Sequence, residues 1–143
     1  MFNSRSFVLL ILFSSNAYCD TTLSVVTENN QLRFSQQLVS GSHQQITSHP
    51  RINQTDVFRF YIKGKKGKKI QISLPSDQTI ARGNEKISIN QFIFGCGLSS
   101  AGIATVKNTG ITDLLCIGAK ATVQSKHSPG TYSNSIPIEI DYL

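Results

Sequence analysis

Three histidines, eight carboxylates and three cysteines are the residues with which this chain could do chemistry. A serine hydrolase needs a nucleophile on a Gly-x-Ser-x-Gly elbow and a histidine base oriented by a third group. No such elbow occurs, and Ser42 merely adjoins His43, a relation that does not activate a hydroxyl. His43, His49 and His127 stand in polar, turn-like surroundings and read as loop residues. Glycoside hydrolysis would need two carboxylates across a cleft, but most acids here lie beside turns or, like Glu139 and Asp141, on the outward parity of a strand. The His43/His49 spacing and the Cys96/Cys116 spacing match no compact metal-ligand motif. The expectation is no catalytic residue, no metal and no cofactor.

Cys96 and Cys116 have a plainer use. In an exported chain a pair of cysteines favours a disulfide, and closing a loop of about 20 residues contributes ~3 kcal/mol in the chain-entropy account. A reactive thiolate would need a histidine or helix start nearby, and none is local. The densest charge is at Lys63, Lys65, Lys66, Lys68 and Lys69, interrupted by Gly64 and Gly67. The glycines are too close together for a phosphate-binding loop and no Lys-Ser/Thr pair follows. No aromatic interleaves the lysines, which excludes a nucleic-acid stacking surface. What remains is a solvated tip that discourages edge pairing, or a contact for an anionic surface polymer.

The elements that must position these residues begin with a leader. Arg5 precedes the unbroken apolar run Phe7 to Phe13, and Ser14-Ser15-Asn16 leads to Ala17 and Cys19 at the −3 and −1 positions. That is the anatomy of a secretory signal peptide, residues 1–19, cut before Asp20. The run is far shorter than the ~20 residues that span a bilayer. An alternative makes Cys19 a lipidated residue, but bulky Tyr18 before it suits that processing poorly. The exported chain, residues 20–143, is then one domain for the periplasm, the cell surface or the medium, without a membrane span. Its charge is one less than the +6 of the full chain, because Arg5 is lost.

Helical periodicity is absent after the leader. Short runs rich in Ile, Val, Phe and Thr alternate with Gly, Asn, Ser and Asp clusters, the pattern of an all-β fold. Strands are expected at Thr22 to Thr27, from Leu32, at Lys86 to Phe94, at Thr112 to Ile117, at Lys120 to Ser125 and at the C-terminus. In the last, Ile136, Ile138, Ile140 and Tyr142 share one parity and Ser135, Glu139 and Asp141 the other. Phe58, Phe60 and Ile62, then Ile70, Ile72 and Leu74, predict a β-hairpin whose turn is the lysine tip. Seven or more strands in this length fit an immunoglobulin-like, two-sheet β-sandwich.

The order of motifs resembles a family of secreted bacterial domains, domain of unknown function 4402. Leu32-Arg33-Phe34 followed by Ser40-Gly41 is similar to its early signature. Leu74-Pro75-Ser76 closes its central strand pair, and Ile117 to Val123, Gly130-Thr131-Tyr132 and the terminal strand match its C-terminal half. Ser35 departs from the pattern, where glycine is usual, and the basic tip is unusual. The layout is similar to spore coat protein U domains of archaic chaperone–usher pilins. The resemblance implies a pilin-like fold, a surface role, and a periplasmic chaperone and usher as partners.

Assembly of that kind works by strand complementation, in which a neighbour's extended segment completes a sheet. The stretch from Thr21 to Thr27, with Leu23 and Val25 on one parity, reads equally as such a donor or as the domain's own first strand. Pro137 lacks an N–H and places the terminal strand near a sheet edge. The function expected is a non-enzymatic fimbrial subunit joined to like subunits by strand exchange. The alternative is a secreted or periplasmic binding module that meets an anionic glycan or the envelope through Lys63 to Lys69.

Overall fold

The alternation read from the sequence puts every second side chain on one face, and eleven stretches take that extended form. The computed structural model describes residues 6–15, 23–38, 43–124, 126–128 and 130–143; within the first two strand regions the side chains described include 10–12 and 23–32. In chain order the strands are β1 (Ser6–Ser15), β2 (Ser24–Asn29), β3 (Gln31–Leu38), β4 (His43–Ser48), β5 (Phe58–Lys63) and β6 (Lys69–Ser73). Then come β7 (Thr79–Arg82), β8 (Glu85–Cys96), β9 (Ile103–Thr105), β10 (Leu115–Gln124) and β11 (Gly130–Tyr142). No helix occurs among the described residues. The expected cleavage point, with Ala17, Cys19 and Asp20, lies outside them, as do Ser40-Gly41 of the early signature.

One layer runs β2-β5-β10-β8, with β4 beside the second half of β10. The other runs β7-β11-β1-β3, and β6 and β9 continue from the C-terminal half of β11. β7 joins the two, pairing with the start of β8 and meeting β11 at Ser133. The fold is an all-β sandwich whose sheet nearly closes on itself. Its core is the set of inward parities: Phe58, Phe60, Ile62, Ile70, Ile72, Ile87, Leu115, Ile117, Ile136 and Ile138 are all buried. The Phe58 and Phe60 rings stack with centroids 4.5 Å apart. Burying each such side chain contributes about 1.5–3 kcal/mol before ordering costs.

The terminal strand is as its spacing predicts, with Ile136, Ile138 and Ile140 buried, Tyr142 half-buried and Ser135, Glu139 and Asp141 exposed. Cys96 and Cys116 form the expected disulfide, Cα atoms 5.3 Å apart, tying the neighbouring strands β8 and β10.

The hairpin at Val57 to Leu74 is corrected. β5 pairs with β2 and β10, while β6 pairs with β11 and β9, so the two lie in opposite layers. Both apolar runs face the same core from either side, and the lysine segment crosses the roughly 10 Å between sheets. Gly64 lets the Tyr142 hydroxyl come close, since a Cβ there would lie 2.8 Å from it, and Gly67 takes a φ of 77°. The two strands expected at Thr112 to Ile117 and Lys120 to Ser125 are one continuous β10 through Gly118. At Gly118 the glycine serves close approach, since a Cβ would lie 2.0 Å from the Ser48 carbonyl oxygen.

Leu23 and Val25 are half-buried against the core, and β2 pairs antiparallel with β5, so this stretch is a strand of the domain's own sheet here. β2 passes into β3 across a single residue, and the corner is built by Asn29. Its side-chain amide donates to the carbonyls of Gln31, Thr55 and Val57, and its Oδ1 accepts from the Gln31 N–H. That corner carries the chain from one layer to the other.

Candidate strand-acceptor site

The apolar run from Phe7 to Phe13, expected to belong to a leader, is part of a strand inside the fold. β1 lies between β11 and β3, parallel to the first from Phe7↔Gly130 to Ser15↔Ile138 and antiparallel to the second. Ile11 is fully buried and stands opposite Leu32 of β3, which is fully buried too. On β11, Tyr132, Asn134 and Ile136 stand level with Leu9, Ile11 and Phe13. Leu10 and Leu12, on the other parity, are only half-buried. β3 has no ladder partner among the described strands other than β1. The position between β11 and β3 is therefore a one-strand slot, filled by residues that precede the expected cleavage point. Without β1, Gly130 to Ile138 of β11 would become a sheet edge along that side, in keeping with Pro137 at that level; with β1 present it is not an edge.

The start of the slot is held by a side-chain staple. Glu85, opening β8, accepts from the Ser128 N–H (2.8 Å) and the Ser128 hydroxyl (2.7 Å), and from the Tyr132 hydroxyl. The Ser128 carbonyl oxygen lies 2.7 Å from that same hydroxyl. Donation by Tyr132, then by Ser128, lowers the Glu85 carboxyl to about 2. Burial, with the hydrogen bond to Glu85 and its charge, pushes the Tyr132 phenol up to about 12. Gly130 adjoins this staple at a φ of 148°, where a Cβ would strike the Arg82 side chain. Asn134 adds a tie to β7 by donating to the Thr79 carbonyl at 2.7 Å. The strand that lines the slot is thus tied to β7 and β8 by contacts that do not involve β1.

His127 belongs to this turn, in the loop between β10 and β11 where it was expected, and it is tied in rather than solvated. It is buried, its Nδ1 accepts from the Gln124 N–H (2.9 Å) and its Nε2 lies 2.8 Å from the Lys86 carbonyl. His49 is exposed, and the His43 side chain is outside the described set. The signal for the Glu85, Ser128 and Tyr132 staple was absent from local patterns because the partners are separated by more than forty residues.

The lysine tip is a separate feature at another end. Lys63, Lys65, Lys66, Lys68 and Lys69 are all exposed. The loop's backbone is bonded to the 106–110 segment, through Gly64 to Gly110 and reciprocally between Gly67, Lys68 and Val106. Lys65 Nζ stands 5.8 Å from the centre of the Tyr142 ring. A cleft of about 530 Å³ opens beside Lys69, bounded also by Ser99, Thr105, Lys107 and Asp113. Among the described residues no group of three His, Cys, Asp or Glu side chains could hold a metal, and no helix is long and apolar enough to cross a membrane.

Residues 20–142 match a family described as a domain of unknown function, DUF4402. The chain belongs to that family. The matched region of this DUF4402 protein starts at the residue expected to be first after the leader and takes in every strand except β1. A search of the curated proteins finds no match.

Proposed function

We propose that this DUF4402 protein is a non-enzymatic exported structural subunit, pilin-like, that joins like subunits at the bacterial surface by strand complementation. A periplasmic chaperone and an usher handle it before assembly. The observation that carries the reading is the slot between β11 and β3, occupied by an apolar strand from the expected leader. An exported chain that has lost residues 1–19 lacks that strand. It would expose Leu32, Ile136 and a row of unpaired backbone groups, which cost free energy until another strand supplies partners. Backbone hydrogen bonds give a donated strand its hold, and alternate side chains give it register.

The donor is proposed to be the N-terminal stretch of the exported chain, Thr21 to Thr27, lent by a neighbour. Its hold on the home sheet is light: β2 lies at a sheet edge with four of six residues exposed. Deleting Thr21–Thr27 should abolish polymerisation while binding to the chaperone persists. Normal assembly of the deletion variant would end the donor role.

A second reading is supported by the braced tip and the adjoining cleft, which Lys69 and Lys107 line together with Ser99 and Thr105. There the domain would hold an anionic glycan. The two readings use opposite features and are separable by mutation of the lysines alone.

A further inference from the structure

We propose that the leader strand is a provisional cap: in the uncut chain β1 closes the slot, and hydrolysis before Asp20 opens it for a partner's strand. The inference rests on the strand-complementation reading and adds how the slot is kept shut and what it accepts. β1 makes a ladder along each flanking strand, unbroken along β11 from Phe7 to Ser15 and, along β3, from Ser6 to Leu12 with a register shift between Phe7 and Leu9. Ile11, the buried one of its three described side chains, packs in the same core cluster as Leu32, Ile136 and Tyr132. The expected cut falls in the connection 16–23, between β1 in one layer and β2 in the other. Once that connection is severed, only the non-covalent ladders retain the cap.

The covalent step is hydrolysis of the Cys19–Asp20 peptide bond by a leader peptidase. One water is consumed, leaving a carboxylate on Cys19 and an amine on Asp20. The released segment can then dissociate or be displaced. Its geometry specifies the replacement. The slot accepts an extended segment parallel to β11, with an aliphatic side chain level with Asn134 and opposite Leu32. Residues of the other parity are half-buried, as Leu10 and Leu12 are, so polar types are accepted there. The partner is a second copy of this chain or a like subunit presenting such a segment.

β3 runs antiparallel to β11 across the slot, so it has the right direction to close directly onto β11 when β1 leaves. That closure is the competing outcome, and it would make the exported domain complete alone.

The test uses the full chain, oxidised and folded, with a specific protease site placed in the 16–22 connection. Light scattering and amide exchange follow it before and after the cut. The expected result is single chains before the cut with protected β3 amides. After it, the β1 fragment is lost, β3 protection is lost, and multimers form. Ile11→Asp should uncap the slot without any cut, and its cut product should behave as the unsubstituted one does, because the substitution leaves with the fragment. Multimers forming equally fast before the cut would overturn the cap while leaving strand complementation standing. Single chains after the cut with β3 still protected would overturn both, by showing closure onto β11. An Ile11→Asp chain that stays single, with unchanged melting and β3 protection, would also overturn the cap.

Discussion

Replacing Ile11 by alanine in the leader-bearing, oxidised chain tests whether β1 is a registered strand or a merely greasy segment. Ile11 is completely buried between β11 and β3. Truncating a fully buried isoleucine removes its transfer free energy and leaves a cavity, about 2–5 kcal/mol in all. In a domain of this size each kcal/mol moves the melting temperature by about 3 °C, so the drop should be roughly 6–15 °C. Leu10 and Leu12 lie on the opposite parity and are half-buried. Leu10→Ala should therefore cost less, about 1 kcal/mol or below. The assay is reversible denaturant unfolding of both variants beside the parent, with midpoints compared at constant slope. A leader held only by nonspecific apolar contact would be indifferent to which position is truncated. Equal losses for Leu10→Ala and Ile11→Ala, or a larger loss for Leu10→Ala, would refute the placement of β1.

Three further outcomes follow from the same structure. The Glu85 carboxyl is lowered from 4.5 to about 2, so its contribution to stability is present above pH 4.5 and is lost as pH falls toward 2. Glu85→Gln should flatten that part of a stability–pH curve, and a wild-type curve level from pH 5 to 2 would contradict the staple. Reducing the Cys96–Cys116 bond, or replacing both cysteines by alanine, should cost ~3 kcal/mol in urea unfolding; an unchanged midpoint would show that the bond adds nothing. Serine at Lys65, Lys66, Lys68 and Lys69 should weaken retention on an anionic polysaccharide matrix and make it less salt-dependent, while strand assembly continues. Unchanged retention would remove the glycan reading.

Much of the sandwich was legible where a strand announces itself by parity. Ile136, Ile138 and Ile140 alternate with polar neighbours, and Phe58, Phe60 and Ile62 do the same, so the buried face of each could be read directly. Parity says which face is buried but not which strand lies alongside. That is why β5 and β6, joined by a glycine-bearing turn, read as a hairpin although they sit in opposite layers. Short strands with one large apolar residue carry too little alternation to be noticed: Ile46 in β4, Ile80 in β7, and the three residues of β9. Gly118 reads as a break because glycine usually punctuates strands, yet it is there for contact with Ser48.

The slot shows the limit most clearly. Phe7 to Phe13 carries a targeting pattern, and an unbroken apolar run has no alternation to suggest a half-buried strand. Its fit depends on β11 and β3, more than a hundred and about twenty residues away in the chain. Pro137 gave the one local hint of an edge in the terminal strand. Nothing in the sequence separated the lending of Thr21 to Thr27 from its use at home, because the same alternation serves both. The structure places its described part, from Leu23 on, at home, and lending it remains the proposal.

Amide exchange at β3 in the isolated chain 20–143 tests the central claim most directly. If the slot is vacant once the leader is gone, the Leu32 to Leu38 amides should exchange quickly in single chains and become protected only when a strand from another chain is taken up. Slow exchange of those amides in a stable single chain would mean that the sandwich completes itself, and that the slot is no site of assembly.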